Sequence, residues 1–281
     1  MKKSPLWQKS SNNQKTFHQQ SINYFMNTLS IQPKDNYIVV QLDRGKANAL
    51  NQEMITELRQ LIRETEADDS IGGIVLTGKA HFFSGGVDLL EVYYYDSEGI
   101  RNFWGSFLQL ATEMLLFSKP LVASITGHSP AGGCILACAC DYRVMAESDR
   151  YQIGLNEMAV GIAPRESILL LYAFWIGNRK AYQYLLEGYL MKGKEALEIG
   201  LVDELVPLDQ TLSQAEQKIQ QYLKLPTTAF RQTKKALKGG LAHAMSANYE
   251  ADLELLHQQL MSKESRTIMG QVVKYLESKK G

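Results

Sequence analysis

Leu121-Val122-Ala123-Ser124-Ile125-Thr126-Gly127-His128-Ser129-Pro130-Ala131-Gly132-Gly133-Cys134 runs from an apolar strand into a glycine turn. Leu121 to Ile125 has the short continuous apolar character of a buried strand. Gly133 to Cys140, which follows, reads as a short buried helix. A strand, a glycine turn and a helix in that order form a ligand edge of α/β proteins, because ligands settle at the carboxyl ends of strands. The same pattern stands upstream, where the strand Ile74 to Gly78 is followed by Phe82-Phe83-Ser84-Gly85-Gly86-Val87-Asp88.

Outward from these two turns the alternation continues. Tyr37 to Leu42 reads as a buried strand, and Arg44 to Leu50 as a turn with helix-start character. In Asn51 to Ala67, Met54, Ile55, Leu58, Leu61 and Ile62 share one helical face. A helix is expected from Ile100 to Phe117, strands at Tyr142 to Ala146 and Tyr151 to Ile153, and helices at Arg165 to Phe174 and Lys180 to Glu187. Such alternation predicts an α/β layer fold with mostly parallel strands. Past Pro207 the strand signal stops; from Leu212 onward the patterns are helical, with breaks expected near Pro226 and Gly239-Gly240. The chain therefore divides into a polar N-terminal extension (1–34), an α/β core (35–207) and a helical C-terminal region (208–281). No internal repeat of fixed period is visible.

Composition excludes several classes. Lys+Arg and Asp+Glu both number 30, so a zero formal charge offers no electrostatic case for nucleic acid or an anionic membrane. The most apolar run, Ile168 to Ile176, is much shorter than the roughly 20 residues a membrane helix needs. The first 34 residues hold no Asp or Glu and read as a disordered tail rather than a transit peptide. Cys134, Cys138 and Cys140 fall in one apolar stretch with no CxxC pair. They read as small core residues in a reducing compartment, with no metal or disulfide role expected.

The two turns and one carboxylate suggest chemistry. Gly132 and Gly133 stand where a loop becomes a helix, whose first N–H groups have no intrahelical partner and favour a negative oxygen. Tight packing of helix on sheet would need glycine equally. Glu157, in Ile153-Gly154-Leu155-Asn156-Glu157, lies among apolar residues, which would raise its pKa and make it a base near neutral pH. A surface loop glutamate is the alternative. Two convergent N–H groups beside one base would move a proton next to a carbonyl.

These segments resemble the enoyl-CoA hydratase/isomerase, or crotonase, superfamily. The resemblance rests on Lys46 to Leu50, Phe83 to Asp88, Lys119-Pro120, Ala131 to Cys134, Asp141 to Arg143, Gly154 to Glu157 and Ala196 to Val206. Ser129 to Gly161 is most similar to mitochondrial-type 3,2-trans-enoyl-CoA isomerases. The resemblance implies a spiral core of repeated ββα units and a helical C-terminal region that forms a homotrimer or a dimer of trimers. It places the N–H groups of Gly85 and Gly132 in an oxyanion hole and Glu157 as catalytic acid/base. Lys46, Ala47, Asn48, Phe83, Ser84, Gly86, Val87 and Asp88 fall where the family grips CoA, with Ile135 in the pocket. The CoA thioester is then the substrate, and no cofactor is expected. The implied location is cytoplasmic in a bacterium, or an organellar matrix.

Family hydratases carry a second glutamate where this chain has Ile135. One carboxylate suffices to shift a double bond, so the expected reaction is conversion of 3-enoyl-CoA to 2-trans-enoyl-CoA. Glu166 or His128 reaching the pocket would reopen hydration, decarboxylation or thioester hydrolysis. A silent CoA- or RNA-binding homologue is the remaining alternative. Phe103, Trp104, Phe107, Tyr172 and Trp175 are candidate contacts for the acyl tail.

Overall fold

The computed structural model describes residues 26–279. In chain order the elements are β1 (Leu29–Pro33), β2 (Ile38–Leu42), α1 (Gln52–Ala67), β3 (Ile74–Thr77), β4 (His81–Phe82), α2 (Leu89–Val92), α3 (Ser97–Leu116), β5 (Leu121–Ile125) and β6 (Gly127–Pro130). They continue with α4 (Gly132–Ala139), β7 (Tyr142–Ala146), β8 (Gln152–Gly154), a 3₁₀ turn at Glu157–Val160, α5 (Glu166–Glu187), β9 (Met191–Lys192), α6 (Gly193–Glu198) and β10 (Glu204–Val206). After a second 3₁₀ turn at Leu208–Gln210 come α7 (Thr211–Leu223), α8 (Thr227–Ala247), α9 (Tyr249–Leu260) and α10 (Lys263–Ser278).

The strands form two sheets, ordered β1-β2-β3-β5-β7-β10 and β4-β6-β8-β9. Successive turns of the chain place one strand in each: β3 then β4, β5 then β6, β7 then β8. This is the ββα spiral that the resemblance implied. Strands β2, β3, β5, β7 and β10 run parallel, as do β4, β6 and β8. A helix or loop therefore leaves the carboxyl end of every parallel strand on one side. The step from β5 into β6 depends on Gly127, where a β-carbon would lie 2.1 Å from the His81 carbonyl.

Both faces of the central strands of the larger sheet are covered, so β2, β3 and β5 are near-continuous apolar runs. Val40, Leu76 and Ala123 join a large core with α1, α3 and α4, while Val39, Val75, Val122 and Val144 face Ala215 and Ile219 of α7. Helix α7 is thus an outer layer of the core. The expected division at 207/208 marks where strands end, not where core packing ends.

Three further boundaries differ from the sequence reading. Leu29–Pro33, inside the expected polar extension, is an edge strand antiparallel to β2, with Leu29 buried; the alternation Leu29-Ser30-Ile31-Gln32 was its signal. The rest of that extension, residues 1–25, lies outside the described residues. Helix α8 continues through Gly239-Gly240, held there by neighbouring Lys234 and Lys238, whose ammonium groups reach back to Asp141. The two helices expected between Arg165 and Glu187 meet at a kink where Gly177 adopts φ +76°. No described helix is long and apolar enough to cross a membrane.

Candidate active site

Three loops leaving β4, β6 and β8 converge. Strands β6 and β8 pair in parallel register, Ser129 opposite Ile153 and Pro130 opposite Gly154. Gly132 follows the first strand by two residues and Glu157 follows the second by three. Strand pairing thereby brings together two groups 25 positions apart in the chain. Ala131 N–H donates to Gly154 C=O at 2.8 Å and locks the two loops. Ala131 adopts φ +46°, ψ −117°. That conformation costs a side-chain-bearing residue about 1–3 kcal/mol, and it turns the chain so that Gly132 opens α4. Gly132 itself is helical; its small size matters because a β-carbon there would lie 2.9 Å from Leu50 Cδ1 and 3.4 Å from the Val87 nitrogen.

The first turn corrects one expected role. Gly85 N–H donates to Ala47 C=O at 2.7 Å and has no free hydrogen. The free donor is two residues on. Gly86 C=O accepts from Leu50 N–H at 2.8 Å, and Asp88 N–H donates to Leu50 C=O at 2.9 Å. In an extended segment alternate backbone groups face opposite edges, so Val87 N–H points away from Leu50. Among the described residues it has no acceptor. A β-carbon on Gly86 (φ +85°) would lie 3.4 Å from the Gly132 nitrogen, which confirms that the two turns touch. Among the described residues the N–H groups left without an acceptor where the turns meet are those of Val87 and Gly132, whereas that of Gly85 is taken by Ala47.

The side chains of several residues in the segments expected to grip the substrate build this loop, which leaves their backbone to face outward. Asn48 is buried at φ +48° and donates to the Phe82 and Phe83 carbonyls. Ser84 Oγ donates to Asn48 C=O and accepts from Gly86 N–H. Phe83 is fully buried in the core, and Asp88 caps α2 while pairing with Arg44 at 2.7 Å. Of the expected set, Lys46 is exposed on the loop, Val87 is half-buried at the turn and Ile135 lines the cavity.

Glu157 lies in that cavity with Trp104, Phe107, Ile135, Ile162 and Leu256. It is 8% exposed, and its Oε2 is buried without a hydrogen-bond partner. Burial among apolar walls pushes its pKa up to about 7, against a smaller lowering by a backbone N–H. Half of such a group is ionised at neutral pH, which suits a base that must also give its proton back.

The alternative acids and bases lie elsewhere. Glu166 is exposed at the start of α5, where Asn248 Nδ2 donates to it at 3.5 Å. The His128 ring packs tilted against Phe82 and edge-on to Tyr151; burial, with Arg150 and His81 nearby, lowers its pKa. Of the five aromatic candidates, Trp104 and Phe107 line the cavity. Phe103 packs behind Trp104, and Tyr172 is buried in the core. The Trp175 ring is occupied by the Arg143 guanidinium, 3.6 Å from its centre. The three cysteines are buried and free.

Two sheets coiled through ββα turns, with two backbone donors and one buried carboxylate at the strand ends, match a described class. The chain belongs to the enoyl-CoA hydratase/isomerase family, whose model matches residues 32–281. It is 34% identical over 244 residues to enoyl-CoA delta isomerase 1, mitochondrial, of Mus musculus, covering 86% of this chain and 84% of that protein. It is 30% identical over 231 residues to 2,3-dehydroadipyl-CoA hydratase of Escherichia coli, covering 82% and 89%. The crystal structure of human mitochondrial delta3-delta2-enoyl-CoA isomerase superposes with a TM-score of 0.87 at 30% identity, covering 90% of this chain and all of that one.

Proposed function

We propose that this protein is an acyl-CoA isomerase that moves the double bond of a 3-enoyl-CoA to the 2-trans position, with Glu157 as the single acid/base. One observation carries the reading: Glu157 is the one carboxylate among the residues lining the cavity, and Ile135 faces it from α4. Hydration needs one group to activate water and another to deliver a proton. A double-bond shift needs one group to do both transfers in turn. The likeness to named isomerases supports this reading; the likeness to a named hydratase makes hydration the outcome to test against.

In the proposed cycle the Val87 and Gly132 N–H groups hold the thioester oxygen. Ionised Glu157 removes a proton from the α-carbon, and the electron pair delocalises through the double bond onto the oxygen as a dienolate. The protonated carboxyl then delivers the proton to the γ-carbon as the new double bond forms between α and β. Each donor lowers the barrier by about 2.7–4 kcal/mol by analogy with other oxyanion holes. Exposed Lys46 supplies a cation for the CoA phosphates. Exposed apolar side chains on the C-terminal helices, among them Leu237, Leu255 and Tyr275, support assembly into trimers, for which sedimentation at three times 31.7 kDa is expected.

The direct test supplies 3-enoyl-CoA and 2-trans-enoyl-CoA separately and follows absorbance of the conjugated thioester. Absorbance is expected to rise with the first substrate and to stay constant with the second. Loss of absorbance from the second substrate overturns the single-carboxylate reading.

The oxyanion assignment has its own test. In Gly132→Ala the new methyl group meets the movable tip of Leu50 closely, lies in ordinary contact with Phe107 Cζ and the Val87 nitrogen at 3.4 Å, and takes up space beside the two N–H groups. The protein is expected to fold normally while kcat falls by up to about 10²–10³, the loss expected when the methyl group keeps the thioester oxygen from one of the two donors. Gly133→Ala is a contrasting control, since its β-carbon would lie 2.7 Å from the Ser84 carbonyl oxygen and disturb the fold itself. Unchanged kcat in Gly132→Ala removes Val87 and Gly132 from the mechanism.

A further inference from the structure

Besides Glu157, one charged residue lines the cavity, and the cycle above does not use it. Arg165 sits on the wall formed by Ile162 to Ile168. Its backbone is fixed as the cap of α5: Ile168 and Leu169 donate their N–H groups to its carbonyl at 2.9 and 3.0 Å. Its side chain is 20% exposed. Among the described residues the guanidinium makes one side-chain hydrogen bond, from Nη2 to Asp252 Oδ1 of α9, at 3.5 Å. The Nε atom is buried and has no partner.

This is an incomplete arrangement for arginine. The guanidinium offers five N–H donors, and a buried donor left without an acceptor costs about 1–3 kcal/mol. Asp252 holds one nitrogen at the outer limit of a hydrogen bond, so it neutralises part of the charge without using the two-pronged face that arginine presents to carboxylates. A purely hydrocarbon acyl tail would press against this cation and satisfy none of its donors. Arg165 and Glu157 both line the cavity, yet the ion pair of Arg165 is with Asp252 and not with Glu157, which leaves the guanidinium available to the acyl tail.

We infer that the preferred acyl group ends in a carboxylate, as in the monothioester of a dicarboxylic acid, and that Arg165 is the specificity-determining residue that pairs with it. The inference rests on the proposed function only for placing the acyl tail in this cavity.

The test measures binding of saturated, unreactive thioesters by calorimetry. Adipyl-CoA is compared with hexanoyl-CoA, and shorter and longer pairs are matched in the same way. The carboxy-terminated ligand of the best-fitting length is expected to bind at least about tenfold tighter than its methyl-terminated partner, a difference of about 1.4 kcal/mol. Arg165→Leu is expected to bring the pair within about twofold, and Arg165→Lys to restore part of the preference. Because Arg165→Leu leaves buried Asp252 without its cation, the double variant Arg165→Leu, Asp252→Leu serves as the folded control. Equal or tighter binding of the methyl-terminated ligand at every length overturns the inference. So does a carboxylate preference that survives loss of Arg165. Saturated ligands do not react, so failure of the isomerase assay alongside an intact preference would reject the reaction and leave the ligand assignment standing.

Discussion

Glu157→Gln is expected to lower kcat by about 10³–10⁴, at the upper end of what a positioned acid/base contributes, while making the protein more stable. Both effects have one cause. Burial raises the Glu157 pKa from 4.5 to about 7, so the folded protein holds its proton more tightly than the unfolded chain does. Below about pH 4.5 the carboxyl is neutral in both states and carries no penalty. Between 4.5 and 7 the penalty grows as the unfolded state ionises first. Above 7 the folded protein carries a buried carboxylate and the penalty is complete, up to about 3 kcal/mol at 1.36 kcal/mol per pKa unit. Glutamine removes that charge, so the stability gain should appear in urea unfolding at pH 8 and vanish at pH 4. The same ionisation sets activity: wild-type kcat/KM should rise with pH through an inflection near 7. Full turnover in Glu157→Gln, or a variant no more stable than wild type at pH 8, would show that this carboxylate is neither the base nor strained by its site.

Asp141→Asn is expected to destabilise the protein by about 3–5 kcal/mol, the range for removing one partner of a buried charge cluster. Asp141 Oδ2 accepts from Lys234 Nζ at 2.6 Å and from Leu121 N–H at 2.9 Å, and Oδ1 accepts from Lys238 Nζ at 2.8 Å. The two lysine side chains are each 7% exposed. Burial pushes the Asp141 carboxyl up, but the two ammonium groups outweigh it and hold the pKa below the ordinary value. The contribution is therefore complete above the unfolded carboxylate range and fades only as acid protonates the folded carboxyl. Asparagine leaves two buried ammonium groups facing each other with no countercharge. Urea unfolding at pH 7 reads the loss, and a change under about 1 kcal/mol would mean that α8 is held by its apolar contacts alone.

That cluster also explains part of what the sequence concealed. Gly239-Gly240 reads as a break in the sequence, and nothing local marks Lys234 and Lys238 as buried. In the fold the lysines anchor α8 to the loop before β7, and the helix passes through both glycines because tertiary contacts outweigh their low helix propensity. The kink at Gly177, where φ is +76°, falls in the gap between the two helices expected at Arg165 to Phe174 and Lys180 to Glu187.

The residues of the site were largely legible, since Glu157, Gly132 and the Phe83–Asp88 turn are marked by local composition. Which amide is free was not. Gly85 and Val87 differ by two positions, and only the pairing of Leu50 with the Gly86–Asp88 edge uses up one side of the turn and leaves the Val87 N–H for the other. Likewise the aromatic residues could not be sorted by sequence: Trp104 and Phe107 reach the cavity, while Trp175 is engaged by Arg143.

Sequence alone determined the alternation of strands and helices, the zero formal charge of the chain, the two turns, and an isoleucine rather than a carboxylate at position 135. These follow from short-range chemistry: periodic burial, glycine's small size and the identity of one side chain. Only the tertiary structure decided that β1 belongs to the sheet, that α7 covers its outer face, that Glu166 stays in solvent and that Arg165 enters the cavity wall. Each of those depends on contacts between residues far apart in the chain, and local sequence carries no record of which partner will satisfy a backbone donor or a buried charge.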